Sequence, residues 1–356
     1  MKLAIAGGGT GGHVFPAVAV AREWLGRGEE REVLLVGTER GLESRLVPEA
    51  GLPFATIPVG GLKGIGGMRL LRNLALLAPA LAKSSGILRQ NRFVAALGVG
   101  GYASGPFVLA AALAGVPTVI FEPNAEPGFT NRVLARVVRR VATAYETTSV
   151  RLGSRASVTG IPARPAFFQI APREHVPPLR VLITGGSQGS LVVNRTVIDS
   201  LDLLLPRKNR LFLVHQSGER DYNAVRVAYA RREINAEVVP FISNMAEEFA
   251  RADLIVCRAG AITAAEVAAA GRAAIFIPFG AATDSHQLRN AQALESAGAA
   301  RVIPEPQLSP QRLVAEITSL LDQPERMKAM EVRARSLARP NAAADIVNMI
   351  EEVARP

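Results

Sequence analysis

Residues 2–24 read KLAIAGGGTGGHVFPAVAVAREW, which is a short apolar run, a glycine-rich turn and then a helical pattern. A strand that enters a helix through glycines is the opening unit of an α/β sheet. Gly7, Gly9 and Gly12 also match the G-x-G-x-x-G spacing of dinucleotide-binding folds, and His13 follows directly. The stretch therefore predicts the fold class but leaves open which ligand the glycines serve.

The alternation of strands and helices continues along the chain. Strands are predicted for EVLLVG, VAALGVG and PTVIF, and later for LRVLITGG, RLFLVH, AEVVPF, DLIVCRAG and AAIFIPF, with helical patterns such as 16–25 and 104–113 between them. Two prolines in TGIPARPAFF (159–168) predict a linker. We expect two α/β domains with parallel sheets, 1–160 and 161–340. The C-terminal helix, 341–356, can fold back on either domain and is assigned to the N-terminal one.

Composition excludes several classes of protein. At 356 residues, with 49% hydrophobic and 20% charged residues, the chain fits a folded protein of two domains. Its single cysteine, Cys257, excludes an internal disulfide framework and is typical of a reducing compartment. The N-terminus lacks a signal-peptide pattern, and the longest apolar stretches are shorter than the roughly 20 residues of a membrane-spanning helix. We expect a cytoplasmic protein without a membrane span.

The net charge of +10 favours an anionic partner. Nucleic acid, an anionic membrane surface and a phosphorylated substrate all fit that charge. Aromatic residues make up only 5% of the chain, which argues against stacking platforms for single strands, and no zinc-finger or helix-turn-helix spacing is present. We therefore expect no nucleic acid as partner.

Two further strand-to-helix turns carry glycines, LITGGSQGSLVVN (182–194) and IVCRAGAITAAEVAAAG (255–271). The start of a helix offers unpaired N–H groups and a positive dipole end, so each turn can hold a phosphate. Any α/β fold also needs glycines at tight turns. Three such turns in two domains favour a phosphate-bearing ligand over the purely structural explanation.

The dinucleotide interpretation needs an acid at the end of the second strand to hold the ribose. The nearest acid beyond EVLLVG is Glu39, which comes late and equally suits a solvated loop. An NAD-dependent oxidoreductase is therefore the weaker alternative.

Six motifs, in this order, carry a resemblance: GGGTGGHVFPAVAVA (7–21), GVGGYASGP (98–106), GFTNRVLA (128–135), GGSQGS (185–190), CRAGAITAAEVAAAG (257–271) and TDSHQLRNA (283–291). Together they resemble the MurG family, the bacterial glycosyltransferases that form lipid II in cell-wall synthesis, from residue 2 to about residue 343. The resemblance implies the GT-B fold, in which two Rossmann-like domains face each other across a cleft.

The resemblance also implies the reaction. The C-terminal domain would hold UDP-N-acetylglucosamine, and the N-terminal domain would hold lipid I, the undecaprenyl-diphosphate-linked acceptor. The sugar would pass with inversion to the 4-hydroxyl of the N-acetylmuramyl unit, without a metal ion or cofactor. Other proteins of cell-wall synthesis are implied as possible partners. Another UDP-sugar transferase and a non-catalytic sugar-nucleotide-binding protein remain alternatives.

Two residues are candidates for the catalytic base. The unperturbed pKa of a histidine is near 6.5, and His13 follows the first glycine turn, so it can accept the proton of the attacking hydroxyl. Alternatively, it only orients a phosphate or hydroxyl. Glu122, in IFEPN, is the rival base.

The implied binding residues fall into two sets. The donor set is Thr10, Gly11, Gly12, Asn124, Arg164, Ser187, Gln188, Gly189, Asn194, Arg258, Ala261, Thr263, Glu266, His286 and Gln287. The acceptor set is Gly9, Thr10, Tyr102, Ser104 and Asn131, and Gly11 and Gly12 would also cradle the acceptor diphosphate.

Several of these assignments have structural alternatives. Glu266 would accept the ribose hydroxyls, although TAAE also fits a capping box that starts at Thr263. Asn194 lies seven residues after Ser187, which would place both on one helical face in a supporting role. Asn124 and Asn131 can equally serve as caps or turn residues.

Three positions depart from the family pattern. Phe121 and Pro123 flank Glu122 where the family has histidine and glutamine, and His286 stands where some members have glutamine. Because Phe121 replaces the family's histidine, His13 and Glu122 become stronger candidates for the base. Pro123 lacks a backbone N–H and so removes one hydrogen-bond donor.

Residues 51–121 contain no acid but include six lysines and arginines. Leucines at helical spacing accompany the charges, and the expected membrane patch is Lys63, Arg69, Leu70, Arg72 and Leu76. An amphipathic helix packed on the core explains the leucines but not the missing acids. We expect peripheral binding to an anionic membrane surface, on its cytoplasmic face.

Overall fold

The computed structural model describes residues 1–9, 11–60, 76–280 and 285–355. The chain divides into two compact units. Unit 1 comprises Met1–Ala163 and Arg339–Pro356, and unit 2 comprises Arg164–Ala338. The first division falls inside the proline-rich stretch that predicts a linker, and part of that stretch forms the short helix Pro165–Phe168.

Unit 1 contains a seven-stranded parallel sheet of order β3-β2-β1-β4-β5-β6-β7. Its strands are β1 (Lys2–Ala6), β2 (Glu32–Gly37), β3 (Phe54–Thr56), β4 (Phe93–Gly98), β5 (Thr118–Glu122), β6 (Arg140–Thr143) and β7 (Ala156–Val158). Its helices are α1 (Gly11–Gly26), α2 (Glu43–Glu49), α3 (Leu77–Gln90), α4 (Ser104–Leu113), α5 (Phe129–Leu134) and α6 (Glu146–Leu152). Nearly every residue of β1, β4 and β5 is buried, as expected for strands covered on both faces.

Unit 2 contains a six-stranded parallel sheet of order β10-β9-β8-β11-β12-β13. Its strands are β8 (Leu179–Thr184), β9 (Leu211–Gln216), β10 (Ala236–Val239), β11 (Leu254–Cys257), β12 (Ala273–Phe276) and β13 (Arg301–Val302). Its helices are α7 (Pro165–Phe168), α8 (Leu191–Leu204), α9 (Tyr222–Ala230), α10 (Met245–Arg251), α11 (Ala261–Ala270), α12 (His286–Ser296), α13 (Pro310–Leu321) and α14 (Pro324–Ser336), with short 3-10 turns at Leu205–Arg210 and Glu305–Gln307.

The last helix, α15 (Ala342–Ala354), returns to unit 1 and packs against α1. Ile346 and Ile350 are fully buried there. Arg27 of α1 donates to Asn348 Oδ1 at 2.7 Å and forms an ion pair with Glu351 at 3.2 Å. The chain therefore completes its first unit only after it has built the second.

The prediction of two α/β units with parallel sheets is confirmed. In each sheet the chain builds outward from one strand and then returns to that strand's other side, so β1 lies between β2 and β4, and β8 lies between β9 and β11. Ligands of open α/β sheets bind beyond the carboxyl ends of strands at such a reversal point. Both glycine turns, 7–12 and 185–190, follow these two strands.

Among the residues that the structure describes, no helix combines the length and apolar character needed to cross a membrane.

Candidate functional site

The first glycine loop, residues 7–12, is held by bonds within unit 1. The N–H groups of Gly7, Gly8 and Gly9 donate to Val36 O at 3.0 Å, Gly100 O at 3.3 Å and Glu43 Oε2 at 2.6 Å. These three donors are therefore not available to a phosphate while the bonds persist. Helix α1 begins at Gly11, so Gly11 and Gly12 occupy its first turn, and Thr10 lies outside the described residues.

Glu43 is the main feature of this loop that the sequence analysis missed. Its side chain is 1% exposed, and its Oε1 accepts hydrogen bonds from Thr38 N at 2.9 Å and Thr38 Oγ1 at 2.7 Å. Glu39, the acid that came too late for a ribose site, is exposed, as expected for a solvated loop residue. The signal in the sequence was the position of Glu43 at the start of α2, two residues after Gly41 in the turn that follows β2.

His13 lies where the first loop meets the turn after β4. Its Nδ1 is 3.1 Å from Gly8 O. A side chain at Gly100 would come within 2.8 Å of the imidazole, and one at Gly101 would overlap Gly8 O. Glycines with φ of +92° and +80° at these positions let the two turns pack directly. Tyr102 and Ser104 follow on the same turn, so part of the expected acceptor set is brought together.

Glu122, the rival base, is 2% exposed and accepts four hydrogen bonds. Asn124 N and Nδ2 donate to Oε1 at 3.0 and 2.9 Å, while Gly128 N and Asn131 Nδ2 both donate to Oε2 at 2.9 Å. An ionised carboxylate has about four lone-pair sites, so these donors fill them. This arrangement suits a residue that organises Asn124 and Asn131 better than one that removes a proton.

His13 and Glu122 belong to different parts of the sheet. His13 follows β1, Glu122 ends β5, and β4 separates these strands, so the strand ends lie about 10 Å apart. Ser104, which begins the helix after β4, and Asn131, which donates to Glu122, have side-chain oxygens that are buried without a hydrogen-bond partner within the described residues. Buried polar atoms of this kind usually find a water or a ligand atom.

The second glycine loop, residues 185–190, has a different construction. Gly186 N donates to Thr184 Oγ1 at 3.2 Å and Gly189 N to Gly186 O at 2.8 Å, which leaves Ser187 and Gln188 exposed at the tip. Gly186 and Gly189 have φ of +93° and +73°, which keeps the loop out of helix α8. The expectation that Ser187 and Asn194 share a helical face is therefore wrong, because α8 begins only at Leu191.

Arg258 is buried behind the second loop. Its Nη2 donates to Ser190 Oγ at 2.6 Å, and its Nη1 donates to Glu305 Oε2 at 2.5 Å and Ile277 O at 3.1 Å. Ser190 is also the N-cap of α8, where its Oγ accepts from Val193 N at 3.4 Å. The guanidinium thus places a positive charge at the start of the helix that follows the loop.

Asn194 belongs to a buried network below the second loop. Its Nδ2 donates to Ser217 O at 2.8 Å and Asp221 Oδ2 at 2.9 Å, and its Oδ1 lies 3.0 Å from His215 Nε2. His215 Nδ1 lies 3.2 Å from the Tyr229 hydroxyl. Burial lowers the pKa of His215 to about 4, so the ring is neutral at pH 7. Asn194 therefore acts as a support of the loop, and sequence reasoning missed His215 and Tyr229.

Glu266 lies inside α11, which begins at Ala261 after the N-cap Gly260. The capping-box interpretation of Thr263 and Glu266 is therefore wrong. Arg164 Nε donates to Glu266 Oε1 at 2.7 Å. Burial raises the pKa of the Glu266 carboxyl, and the Arg164 guanidinium acts in the opposite direction. The pairing fixes the orientation of the carboxylate.

The remaining predicted residues are His286, Gln287 and the expected membrane patch. His286 and Gln287 begin α12, and Gln287 Oε1 accepts a hydrogen bond from Phe279 N at 3.0 Å. Of the expected membrane patch, Lys63, Arg69, Leu70 and Arg72 lie outside the described residues, and half-buried Leu76 immediately precedes α3. No group of three or more histidine, cysteine or carboxylate side chains is placed to hold a metal ion in the described part of the chain.

Comparison with known proteins gives two family matches. Residues 3–143 match the glycosyltransferase family 28 N-terminal domain, and residues 180–347 match the glycosyltransferase family 28 C-terminal domain. These matches cover more than half of the chain.

Curated relatives carry one name, UDP-N-acetylglucosamine--N-acetylmuramyl-(pentapeptide) pyrophosphoryl-undecaprenol N-acetylglucosamine transferase. The protein of that name from Myxococcus xanthus is 46% identical over 98% of this chain and 92% of its own length. The one from Solibacter usitatus is 44% identical over 99% and 96%. The crystal structure of Acinetobacter baumannii MurG is 35% identical, with a TM-score of 0.83 over 99% of both chains. The chain therefore belongs to the MurG family of glycosyltransferases.

Proposed function

We propose that this enzyme transfers N-acetylglucosamine from UDP-N-acetylglucosamine to the 4-hydroxyl of the N-acetylmuramyl unit of lipid I, with inversion, to form lipid II. Family membership supports the reaction class and the substrates. The observation that carries the donor assignment is the second glycine loop, whose exposed tip precedes a helix start backed by the buried Arg258.

The donor diphosphate is negatively charged, and the N-terminus of α8 is the part of unit 2 that suits it best. Peptide dipoles and the Arg258 charge both favour an anion there. Glu266 would accept ribose hydroxyls, and Arg164 would hold its carboxylate in place. Gln287 would contact the sugar through its amide nitrogen, because its Oε1 is bonded to the backbone.

His13 is the base in this proposal. It would accept the proton of the acceptor hydroxyl while the hydroxyl oxygen attacks the anomeric carbon and UDP leaves. Glu122 would act as a positioning residue for Asn124 and Asn131, because its acceptor sites are filled. Ser104 and Asn131 would use their unpartnered buried oxygens toward the acceptor.

Turnover of a lipid I analogue with UDP-N-acetylglucosamine tests the proposal directly. UDP should raise the melting temperature and NAD should not, since a ligand that binds only the folded state stabilises it. Glu266→Ala should weaken donor binding at least about 10-fold, because each lost charge-assisted hydrogen bond costs about 1.5–3 kcal/mol. Glu325→Ala, at an exposed glutamate of unit 2, is the matched control. Stabilisation by NAD, or normal donor binding by Glu266→Ala, contradicts the assignment.

We also propose that the enzyme works as a peripheral protein on the cytoplasmic face of the membrane. The acid-free segment 51–121 supports this. Within its described part, Lys83, Arg89 and Arg92 are exposed, and Leu113 is 78% exposed. Exposed cations each contribute about 1 kcal/mol toward an anionic lipid surface.

Co-sedimentation with vesicles that contain anionic lipid tests this association. The double change Arg69→Glu with Arg72→Glu should abolish most binding. The same change at Arg226 and Arg231, exposed residues of unit 2, alters the net charge equally and should have little effect. Unchanged binding by the first variant contradicts the proposed membrane patch.

A further inference from the structure

We propose that Glu43 is a positioning residue that sets the tautomer of His13 through the peptide group between Gly8 and Gly9. The inference rests on the proposed role of His13 as the base. It adds a carboxylate that neither the motifs nor the family resemblance pointed to.

The connection runs through one peptide group. Gly9 N donates to Glu43 Oε2 at 2.6 Å, and Gly8 O, the carbonyl of the same peptide, lies 3.1 Å from His13 Nδ1. In a trans peptide the N–H and C=O groups point in opposite directions across a rigid plane. Glu43 therefore lies at one edge of the peptide group and His13 at the opposite edge.

The carbonyl decides which ring nitrogen of His13 carries the proton. A carbonyl oxygen only accepts hydrogen bonds, so Nδ1 must be the protonated nitrogen and Nε2 carries the lone pair. A base that takes a proton from a sugar hydroxyl needs that lone pair. The carboxylate of Glu43 also polarises the peptide, because hydrogen bonds in a chain strengthen one another.

The backbone around Glu43 leaves space for its carboxylate. A Cβ at Gly8, Gly37 or Gly41 would overlap the Glu43 side chain, so glycine at these three positions makes room for it. Thr38 fixes Oε1 through two hydrogen bonds, which leaves Oε2 aimed at the loop. Within the described residues, the hydrogen-bond donors to Glu43 are Gly9 N, Thr38 N and Thr38 Oγ1. A buried carboxylate loses its hydration, which costs free energy unless well-placed N–H and O–H donors compensate. Replacing either carboxylate oxygen of Glu43 should therefore change the function of the protein.

Glu43, the peptide group between Gly8 and Gly9, and His13 together form a relay. This relay resembles a carboxylate–histidine pair with a peptide group inserted between the two side chains. A carboxylate that accepts directly from a histidine both orients the ring and stabilises its protonated form. Here the carboxylate would do both through the peptide dipole. Loss of the Glu43 charge should therefore reduce turnover and also change how turnover depends on pH.

The main experiment compares Glu43→Gln with Glu49→Gln, an exposed glutamate at the other end of α2. Glutamine keeps the size but removes the charge and can accept at only one end. We expect kcat to fall by about 10- to 100-fold, while Glu49→Gln has normal turnover. The KM for the donor should change by less than about twofold, because Arg258, Glu266 and Gln287, the proposed contacts to the donor, belong to unit 2.

The pH profile separates the relay from a merely structural role. Without the carboxylate, protonated His13 is less stable, so the acidic limb of kcat/KM should move to lower pH by about half a unit. A lower kcat with an unmoved acidic limb contradicts the relay, and so does an unchanged kcat.

A measurement on the unaltered protein covers the case in which Glu43→Gln does not fold. Nitrogen-15 NMR of the four histidines, with His13 assigned by its loss in His13→Gln, should show a protonated Nδ1 and an unprotonated Nε2. The opposite tautomer contradicts the relay even if His13 is essential. Full turnover by His13→Gln would instead contradict the proposed base, whatever the tautomer.

Discussion

The first and second glycine loops occupy equivalent places in two similar sheets, after β1 and β8. What differs is the charge buried behind them. A carboxylate, Glu43, binds the first loop, whereas a guanidinium, Arg258, binds the serine that ends the second. The same backbone plan thus carries a buried carboxylate in one unit and a buried guanidinium in the other, and this difference supports the proposed histidine base and the proposed site for an anion.

The comparison also concerns the N–H groups. In the first loop, Gly7, Gly8 and Gly9 all donate to acceptors within unit 1. In the second loop, Gly186 and Gly189 bond within the turn itself, and the tip stays exposed. Glycine spacing alone therefore does not identify a phosphate site, because the partners of each N–H decide whether it is available.

The largest expected effect tests the first loop. His13→Ala should lower kcat by about 100- to 10,000-fold, the usual contribution of a general base. UDP binding should remain normal, since the proposed UDP contacts at the second loop, Arg258 and Glu266 lie in unit 2. Steady-state kinetics and calorimetry with UDP measure the two quantities. Loss of UDP binding would contradict the division of roles between the loops.

The next effect tests the second loop. Arg258→Met removes the positive charge and leaves Ser190 and Glu305 without their partner. We expect UDP to bind about 10- to 100-fold more weakly and the protein to lose about 3 kcal/mol of stability. Calorimetry and urea unfolding provide the measurements, with Arg231→Met at an exposed position as the control. Normal UDP affinity would show that the Arg258 guanidinium does not contribute to UDP binding.

A third prediction concerns the network below the second loop. The pKa of His215 is lowered to about 4 by burial, while the unfolded chain has the ordinary value near 6.5. Between these values the unfolded state binds the extra proton, so stability should fall as the pH drops from 6.5 toward 4, by up to about 3 kcal/mol. Urea unfolding across this range should show the slope, and His215→Gln should flatten it. An equal dependence of the unfolding free energy on pH in both proteins would contradict the lowered pKa of His215.

His175 in the same unit should act in the opposite direction. Its pKa is raised to about 9, first by hydrogen bonding to Asp253 and then by Glu331. The contribution of protonated His175 to the free energy of unfolding is fully present below pH 6.5 and is lost as the pH rises through 9. His175→Asn should therefore flatten the alkaline side only, which makes it an internal control for His215.

The smallest effect compares neighbouring glycines of the first loop. Gly8 and Gly9 have φ of +146° and +93°, so alanine is strained at both. A Cβ at Gly8 would overlap the Glu43 carboxylate, whereas a Cβ at Gly9 would have no described atom within 4 Å apart from its chain neighbours. Gly8→Ala should thus reduce kcat several-fold more than Gly9→Ala. Each should lose about 1 kcal/mol of stability from backbone strain, and Gly8→Ala should lose more because of the overlap. Similar kcat values would weaken the role of Glu43.

The sequence by itself determined the parallel α/β architecture, because alternating apolar runs and helical patterns are a local signal that the buried strands confirm. It also predicted that candidate residues lie at the carboxyl ends of the strands, which meet at one edge of a parallel sheet. His13 follows β1, Glu122 ends β5 and Arg258 follows β11.

Only the tertiary structure decided what these residues bond to. Glu43 and Gly9 are 34 positions apart, and Arg258 and Ser190 are 68 apart. No local pattern records such pairs. The start of α11 at Ala261 and of α8 at Leu191 also differed from the sequence analysis, because backbone conformation at Gly260 and Gly189 set these boundaries. Hydrogen bonding depends on which distant groups the packed sheets bring within about 3 Å, and that information exists only in the folded chain.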